Sequence, residues 1–229
     1  MLLGVGAVAT KTYVDDVFST FLYKGNKPSA QSINNGIDLS EGGLVWIKSR
    51  TNTYNNILQD TVNGTSKFIQ SNTDGGAINT SQYIASFNTN GFSFGTNADN
   101  DINNSSQDFA SWTFRKSPMF TICTWTGNAT NRTIAHSLES VPGMILVKKT
   151  SDSDPWNVYH RSLDSSSPEN YRIFLDESDA RLAANTTIWN QTKPTSTHFS
   201  LGTNDQLNGN GATYVAYLFA GGESTAATA

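Results

Sequence analysis

The chain of 229 residues is 37% hydrophobic and 15% charged, and its formal net charge is −4 at pH 7. Its few Lys and Arg argue against a nucleic-acid partner, because phosphate-binding surfaces need clustered cations. The single cysteine, Cys123, excludes an internal disulfide and a cysteine-based zinc site. No segment approaches the roughly 20 apolar residues of a membrane-spanning helix, so we predict no membrane span. The polar residues are mainly Asn, Thr, Ser and Gly, which favour turns and strand edges, and we therefore predict an all-β protein.

Residues 1–22 are predicted to form an N-terminal segment with one short amphipathic helix. Thr12 and Asp15 stand at the spacing of a helix start signal. Four apolar residues at helical spacing give this helix one apolar stripe: Val14, Val17, Phe18 and Phe21. Such a stripe packs on the domain that follows or docks on another subunit. We name these four residues as candidates for docking or oligomerisation.

Two nearly identical phrases indicate an internal repeat. FSFGTN begins at Phe92 and FSLGTN begins at Phe199, an offset of 199 − 92 = 107 residues. Further blocks correspond in the same order: Tyr23-Lys24-Gly25-Asn26 with Trp125-Thr126-Gly127-Asn128, Gly43–Lys48 with Gly143–Lys148, Asn56-Ile57-Leu58 with Asn157-Val158-Tyr159, and Phe109–Phe114 with Tyr214–Phe219. Tandem duplication is the simplest explanation, and it predicts that the two halves of the chain have similar folds.

Each copy consists of short aromatic and β-branched runs bounded by Gly and Asn turns. Runs of this length and composition are typical of strands, and several of them per hundred residues favour a sandwich or jelly roll. We therefore predict two similar, jelly-roll-like β-sandwich units in tandem, at residues 23–117 and 118–221. A small polar C-terminal tail, residues 222–229, follows the second unit.

The duplication divides the tryptophans into two groups. Trp46, Trp112 and Trp125 occupy positions that are bulky in both copies, so we predict that they pack in the core. Trp156 and Trp189 align with Asn55 and Gln82 in polar surroundings. An exposed indole ring flanked by Asp and Asn suits stacking on a sugar, so Trp156 and Trp189 are the glycan-binding candidates. Their alternative role is to anchor loops beneath their own unit.

No set of residues typical of catalysis is present in the sequence. The three histidines, His136, His160 and His198, have no accompanying nucleophile motif. Carboxylates cluster in three polar stretches, at Asp99/Asp101, Asp152/Asp154 and Asp176/Glu177/Asp179. Paired carboxylates could cleave glycosides, but solvated turns explain these clusters without a catalytic role. We predict no catalytic residue and no cofactor.

One acidic stretch begins like a calcium-binding loop. Asp99, Asp101 and Asn103 alternate along the chain and could direct oxygen atoms at a hard cation. The sixth position is Asn104 where an EF-hand has Gly, and the twelfth is Ala110 where it has Glu. The stretch is therefore no EF-hand, and these three residues are only a weak candidate for a loop-bound cation.

The blocks TKTYVDDVFSTFLYKGN, EGGLVWIKSR, SWTFRK, VPGMILVKKT, YHRSL, PTSTHFSLGT and GATYVAYLFA follow one another along most of the chain. Together they resemble a repeat of virion structural and tail-fibre-like proteins of marine tailed bacteriophages. The resemblance implies a particle component near the tail or the host-attachment apparatus, and it supplies no catalytic residue.

On this basis we expect a non-enzymatic structural component of a bacteriophage virion, a tail-fibre or tail-associated protein that acts in assembly or host attachment. The expected partners are other tail proteins and further copies of the chain, with a trimer as one candidate state. A host surface glycan is a further candidate partner, because the alternative function is a glycan-binding module for receptor recognition. A polysaccharide depolymerase is the third and least supported function.

Overall fold

The computed structural model describes residues 12–222. They are mostly β-structure, as predicted, in antiparallel sheets. The strands are β1 Phe18–Lys24, β2 Gln31–Ile33, β3 Gly43–Ser49, β4 Ile57–Asp60, β5 Lys67–Gln70, β6 Ile78–Asn79, β7 Ile84–Asn88, β8 Gly91–Phe94, β9 Asp108–Arg115, β10 Phe120–Thr126, β11 Arg132–Ala135, β12 Pro142–Lys149, β13 Asn157–His160, β14 Ile173–Phe174, β15 His198–Leu201 and β16 Thr213–Ala220. The helices are single turns: α1 Val14–Val17, α2 Asn100–Asn103, α3 Asp205–Asn208 and the 3-10 turn Pro168–Asn170. No helix within residues 12–222 has the length and apolar character needed to cross a membrane.

The two halves of the chain build sheets with matching strand orders. The first inner sheet has the order β1-β9-β3-β4-β5-β6, and the second inner sheet has the order β10-β16-β12-β13-β14. The first outer sheet is β2-β8-β7, and the second outer sheet is β11-β15. Strand for strand, β1 corresponds to β10, β9 to β16, β3 to β12 and β4 to β13. The one-turn helices α2 and α3 correspond as well, because each precedes the last strand of its half.

Three hydrophobic cores lie between these sheets. The first core joins the first inner and first outer sheets through residues such as Val45, Phe92 and Phe94. The second core joins the second inner and second outer sheets through residues such as Phe199 and Leu201. The third core contains residues of both inner sheets, among them Leu44, Leu58, Leu146, Val158, Val215 and Tyr217. The two halves therefore share a core where the inner sheets meet.

Burial on both faces explains why the central strands read as continuous apolar runs. In β3, Val45 and Ile47 belong to the first core, whereas Leu44 belongs to the third. Successive side chains of a strand point to opposite faces, so a strand between two cores needs apolar residues at nearly every position. In β12 the same alternation sends Ile145 to the second core and Leu146 to the third.

The repeated aromatic-x-Gly-Asn phrase ties each first strand to its one-turn helix. The Tyr23 hydroxyl donates to the carbonyl of Ile102 at 2.7 Å, and the Asn26 backbone N–H donates to Oδ1 of Asn103 at 2.9 Å. The second half repeats both bonds: Trp125 Nε1 donates to the carbonyl of Leu207 at 3.0 Å, and the Asn128 N–H donates to Oδ1 of Asn208 at 3.1 Å. The phrase is thus a structural latch present in both halves.

The predicted N-terminal helix is wrong in its extent. Only Val14–Val17 is helical, and Phe18 and Phe21 lie in strand β1, which pairs with β9 from Phe18 opposite Phe114 onward. The sheet of the first half therefore begins at Phe18, ahead of the predicted boundary at residue 23. Residues 1–11 of the predicted N-terminal segment and residues 223–229 of the predicted tail lie outside the described residues.

Candidate functional site

Trp156, predicted as a glycan-binding residue, is completely buried. It belongs to the third core, and its Nε1 donates to the carbonyl of Gln70 in the other half at 2.8 Å. The strand registers place Asp60 opposite Leu44 and His160 opposite Met144, so Trp156 is equivalent to Asn56 and the predicted alignment is off by one residue. A ring without an accessible face cannot stack on a sugar, so this site prediction is wrong.

Trp189 is buried as well, with 2% of its surface exposed. Its Nε1 donates to the carbonyl of Tyr171 at 3.1 Å, and its ring meets Tyr159 edge-on at 5.8 Å. Asp99 and Asn204 are the N-cap residues of α2 and α3. Their backbone N–H groups donate to the carbonyls of Gln82 and Thr187, respectively. Trp189 therefore matches Ile84, a buried core residue, and not Gln82. Burial beneath its own unit, the alternative role, describes Trp189, whereas Trp156 is buried between the two halves.

The three residues of the weak cation candidate, Asp99, Asp101 and Asn103, have three different structural roles. The Asp99 side chain caps α2 by accepting the N–H of Asp101 at 2.9 Å. Asp101 lies 3.4 Å from the Tyr83 hydroxyl, and burial raises the pKa of its carboxyl. Asn103 is fully buried in its latch. Within residues 12–222 no group of three His, Cys, Asp or Glu side chains is arranged to hold a metal ion.

The acidic stretches of the second half are also engaged in local bonds. Lys149 forms ion pairs with Asp154 at 2.9 Å and with Asp205 at 3.0 Å. Asp176 Oδ1 accepts the backbone N–H of Trp156 at 2.9 Å. His136 Nε2 lies 3.1 Å from the carbonyl of Thr195, and burial lowers its pKa. These contacts give Asp154, Asp176 and His136 structural roles, whereas Glu177 and Asp179 are exposed.

Three of the four docking candidates do come together. Val14, Val17 and Phe18 line an apolar groove with Phe114, Ser117, Met119, Phe120 and Phe219, and the groove has a volume of about 150 Å³. Its floor is an aromatic cluster drawn from both halves. Ring centroids lie 4.8 Å apart for Phe18 and Phe114, 5.3 Å for Phe114 and Phe120, and 5.2 Å for Phe120 and Phe219. The groove marks the end of the junction between the halves.

Apolar side chains of the N-terminal segment and of β1 are open to solvent, beside the exposed Asp15 and Asp16. Tyr13 is 62% exposed, Val14 59% and Leu22 57%. Phe21, the fourth candidate, points to the opposite face of β1 and packs against the first core. We define the N-terminal surface as α1 together with β1, residues 14–24, and regard it as the candidate functional site.

The sequence reading missed the polar bonds that join the halves. Tyr217 donates to Asp60 Oδ2 at 2.7 Å. Lys148, fully buried, donates to the carbonyls of Asp74 and Asp154. Backbone bonds run beside it, from the Asp154 N–H to the carbonyl of Asp74 and from the Ala77 N–H to that of Thr150, both at 2.9 Å. The one signal for these bonds in the sequence was Asp60, a carboxylic acid at the end of the short strand β4.

Comparisons with known proteins give one match. The family model described as Domain of unknown function (DUF7483) matches residues 14–225. No curated protein and no solved structure matches the chain.

Proposed function

Since the chain belongs to the DUF7483 family, whose description states no activity, we propose from its residues that it is a structural component of a bacteriophage virion. In this proposal it is a tail-fibre or tail-associated protein that acts in assembly or host attachment. It is not an enzyme, needs no cofactor, and has other tail proteins and further copies of itself as partners, with a trimer as one candidate state.

The observation that carries the proposal is the core shared by the two halves. We infer two tandem β-sandwich units, because each half has an inner sheet, an outer sheet and a core between them. The third core joins these units face to face, and buried polar bonds fix them against each other. A block built in this way resists bending between its units, which suits a load-bearing part of a particle.

The phage origin is supported by the resemblance of the sequence blocks to tail-fibre-like repeats. The engagement of the acidic stretches in caps and ion pairs supports a non-enzymatic role. The exposed apolar side chains of the N-terminal surface, Val14 and Leu22, support contact with a neighbouring subunit, because exposed apolar patches mark interaction sites.

Immunogold labelling of purified particles tests the proposal. Antibodies raised against the chain are applied to intact particles of the phage that encodes it, and the same particles are analysed by mass spectrometry. We expect label at the tail and peptides of the chain in gradient-purified particles. Peptides found only in the infected-cell lysate, with none in the particles, would overturn the assignment.

Glycan recognition is the second candidate function, with different residues from those predicted. Trp112 is half-buried, and its ring centroid lies 6.2 Å from that of Trp46, which packs against the third core. Amphipathic aromatic rings of this kind are suited to wet binding surfaces. Trp112→Ala should abolish retention of the protein on host surface polysaccharide, and Trp156→Phe should not. Unchanged retention of the Trp112 variant contradicts this role.

A further inference from the structure

Strand β1 forms a long, regular edge of the first inner sheet. It pairs with β9 without a bulge from Phe18 opposite Phe114 to Lys24 opposite Asp108. No strand within residues 12–222 pairs with its other side. The opposite edge of the same sheet, β6, spans only Ile78–Asn79. Proteins commonly keep edge strands short or interrupted, and a long regular edge is a template for another strand.

The backbone groups of β1 that point outward can be identified from the ladder. The Gly25 N–H donates to the carbonyl of Gln107 at 2.9 Å, which continues the register of β1 on β9. In antiparallel pairs every second residue directs both backbone groups at its partner, so Thr20 and Leu22 direct theirs away from β9. The carbonyl of Lys24, which points the same way, accepts the side chain of Gln31 at 3.0 Å.

The equivalent edge strand of the second half, β10, also has no strand on its outer side within residues 12–222, but its side chains are more deeply buried. Thr121 is fully buried and its hydroxyl lies 3.0 Å from that of Ser137, while the Cys123 thiol contacts the carbonyl of Ala135 at 3.7 Å. The matching residues of β1, Ser19 and Phe21, are only half-buried. Strand β10 also lacks the charges of β1, because Ser117, Pro118 and Thr126 stand where the first half has Asp15, Asp16 and Lys24. Of the two equivalent edges, β1 is therefore the one with a charge pattern suited to self-pairing.

We propose that β1 pairs with β1 of a second copy of the chain, antiparallel and about a two-fold axis. The axis passes at Phe21, so that Thr20 lies opposite Leu22 of the second copy and each exchanges both backbone hydrogen bonds with the other. The two first inner sheets become one continuous sheet. This inference rests on the self-association included in the proposed function, and it names β1 as the surface through which two copies associate. A two-fold pairing of this kind gives a closed dimer and not a trimer.

Side chains and charges along β1 fit this pairing. Leu22, 57% exposed, would lie beside Thr20 of the second copy on one face of the sheet. Exposed Asp15 and Asp16 precede the strand. Lys24 ends it with a side chain 66% exposed, in a weak surface pair with Asp108 at 3.3 Å. Antiparallel pairing brings the acidic start of each strand to the basic end of the other, which favours this orientation.

A proline scan of the two edges tests the pairing in solution. Leu22→Pro removes an N–H that β9 does not use, and proline is tolerated at such edge positions. Thr124→Pro makes the same change at the equivalent position of β10. Sedimentation equilibrium on the full chain at micromolar concentrations should show a dimer whose dissociation constant rises roughly 100-fold or more with Leu22→Pro, because the paired backbone bonds are lost, and little with Thr124→Pro.

Charge reversal provides a test that leaves the backbone unchanged. Asp15→Lys alone and Lys24→Glu alone should each weaken the dimer about 3- to 10-fold at low salt, and the double variant should restore it. Far-UV circular dichroism checks that every variant is folded. A wild-type monomer or trimer, or a dimer unaffected by Leu22→Pro, overturns the proposal and leaves the edge to another protein or another part of the chain. Labelling of particles would still test the virion assignment separately.

Discussion

The hydroxyl of Tyr217 donates a 2.7 Å hydrogen bond to Oδ2 of Asp60, across the surface where the two halves of the chain meet. Both residues are buried, with 0% and 1% of their surfaces exposed. Asp60 also accepts the backbone N–H groups of Val62 and Asn63 and the Asn63 side-chain amide, at 2.7–2.9 Å. A buried carboxylate is tolerated here because donors surround it. The bond fixes the second half in register on β4 of the first.

Replacing Tyr217 by Phe should lower the free energy of unfolding by about 1.5–3 kcal/mol, because a hydrogen bond to a buried charged group is lost. Tyr159→Phe is the matched control. Tyr159 is also buried but forms no hydrogen bond with a described residue, so its loss should stay within about 0.5 kcal/mol. Urea denaturation followed by circular dichroism measures both. Equal losses in the two variants would show that the Asp60 bond contributes nothing specific.

Stability should fall in alkaline solution because of the same tyrosine and of Tyr23. Burial raises the pKa of both hydroxyls well above the ordinary value. Below about pH 10 both tyrosines are protonated in the folded and unfolded states, and their contribution to stability is complete. Above that pH the unfolded chain ionises first, so stability falls by about 1.4 kcal/mol per pH unit for each tyrosine until the folded pKa is reached.

Urea denaturation between pH 8 and pH 11 measures this slope. Tyr217→Phe removes one ionising group, so the fall of the free energy of unfolding with pH should be shallower by the contribution of one tyrosine. Tyr23→Phe should do the same in the first half, where Tyr23 donates to the carbonyl of Ile102. A wild-type stability that stays constant from pH 9 to pH 11 contradicts the prediction.

The sequence predicted the all-β class because its strongest signals are local. The apolar run from Gly43 and its copy from Gly143 are strands β3 and β12. The residues Phe92, Phe94, Phe199 and Leu201 of the repeated phrase are buried in strands β8 and β15. Duplication helped here, because two copies with the same pattern constrain the reading more than one.

The misplaced residues have a physical reason in common. The spacing of Val14, Val17, Phe18 and Phe21 fits a helix, but pairing with β9 adds a ladder of backbone bonds that a short helix cannot match, and β1 forms instead. Trp156 was misread because its counterpart Asn56 is as polar as Asn55, and the core that buries the ring forms only where the two halves meet. Neither the ladder nor the shared core can be read from one strand alone.

Lys148 should contribute more to stability than its counterpart in the first half, Lys48. Lys148 is fully buried and donates across the junction to the carbonyl of Asp74 at 2.6 Å. Half-buried Lys48 donates to the carbonyl of Tyr54 at 2.6 Å, within its own half. Lys148→Met should therefore cost about 2–3 kcal/mol and Lys48→Met about 1 kcal/mol. Denaturation midpoints in urea compare them, and a larger loss for Lys48→Met contradicts the role of the junction.

Removing the Trp156 ring should lower stability, because the ring fills the shared core. Trp156→Ala should cost about 3–5 kcal/mol through lost burial and a cavity. Trp156→Phe retains most of the volume and loses the bond to the carbonyl of Gln70, so its cost should be smaller. Differential scanning calorimetry measures both variants. An alanine variant as stable as the wild type would contradict the buried position and return Trp156 to the glycan candidates.

Two glycines of the repeated latch should be intolerant of alanine, in contrast to a third. A Cβ at Gly25 would overlap the carbonyl oxygen of Asn104, and one at Gly127 that of Gly209, so in each half the first strand approaches the loop after its one-turn helix too closely for a side chain. Gly95 of the FSFGTN phrase has φ outside the left-handed region, and a Cβ there would lie 3.8 Å from Ala85, an ordinary contact. Gly25→Ala and Gly127→Ala should each cost about 1–3 kcal/mol or more, whereas Gly95→Ala should be nearly neutral. Urea denaturation ranks the three variants, and a tolerated alanine at both latch glycines would show that the close approach relaxes without cost.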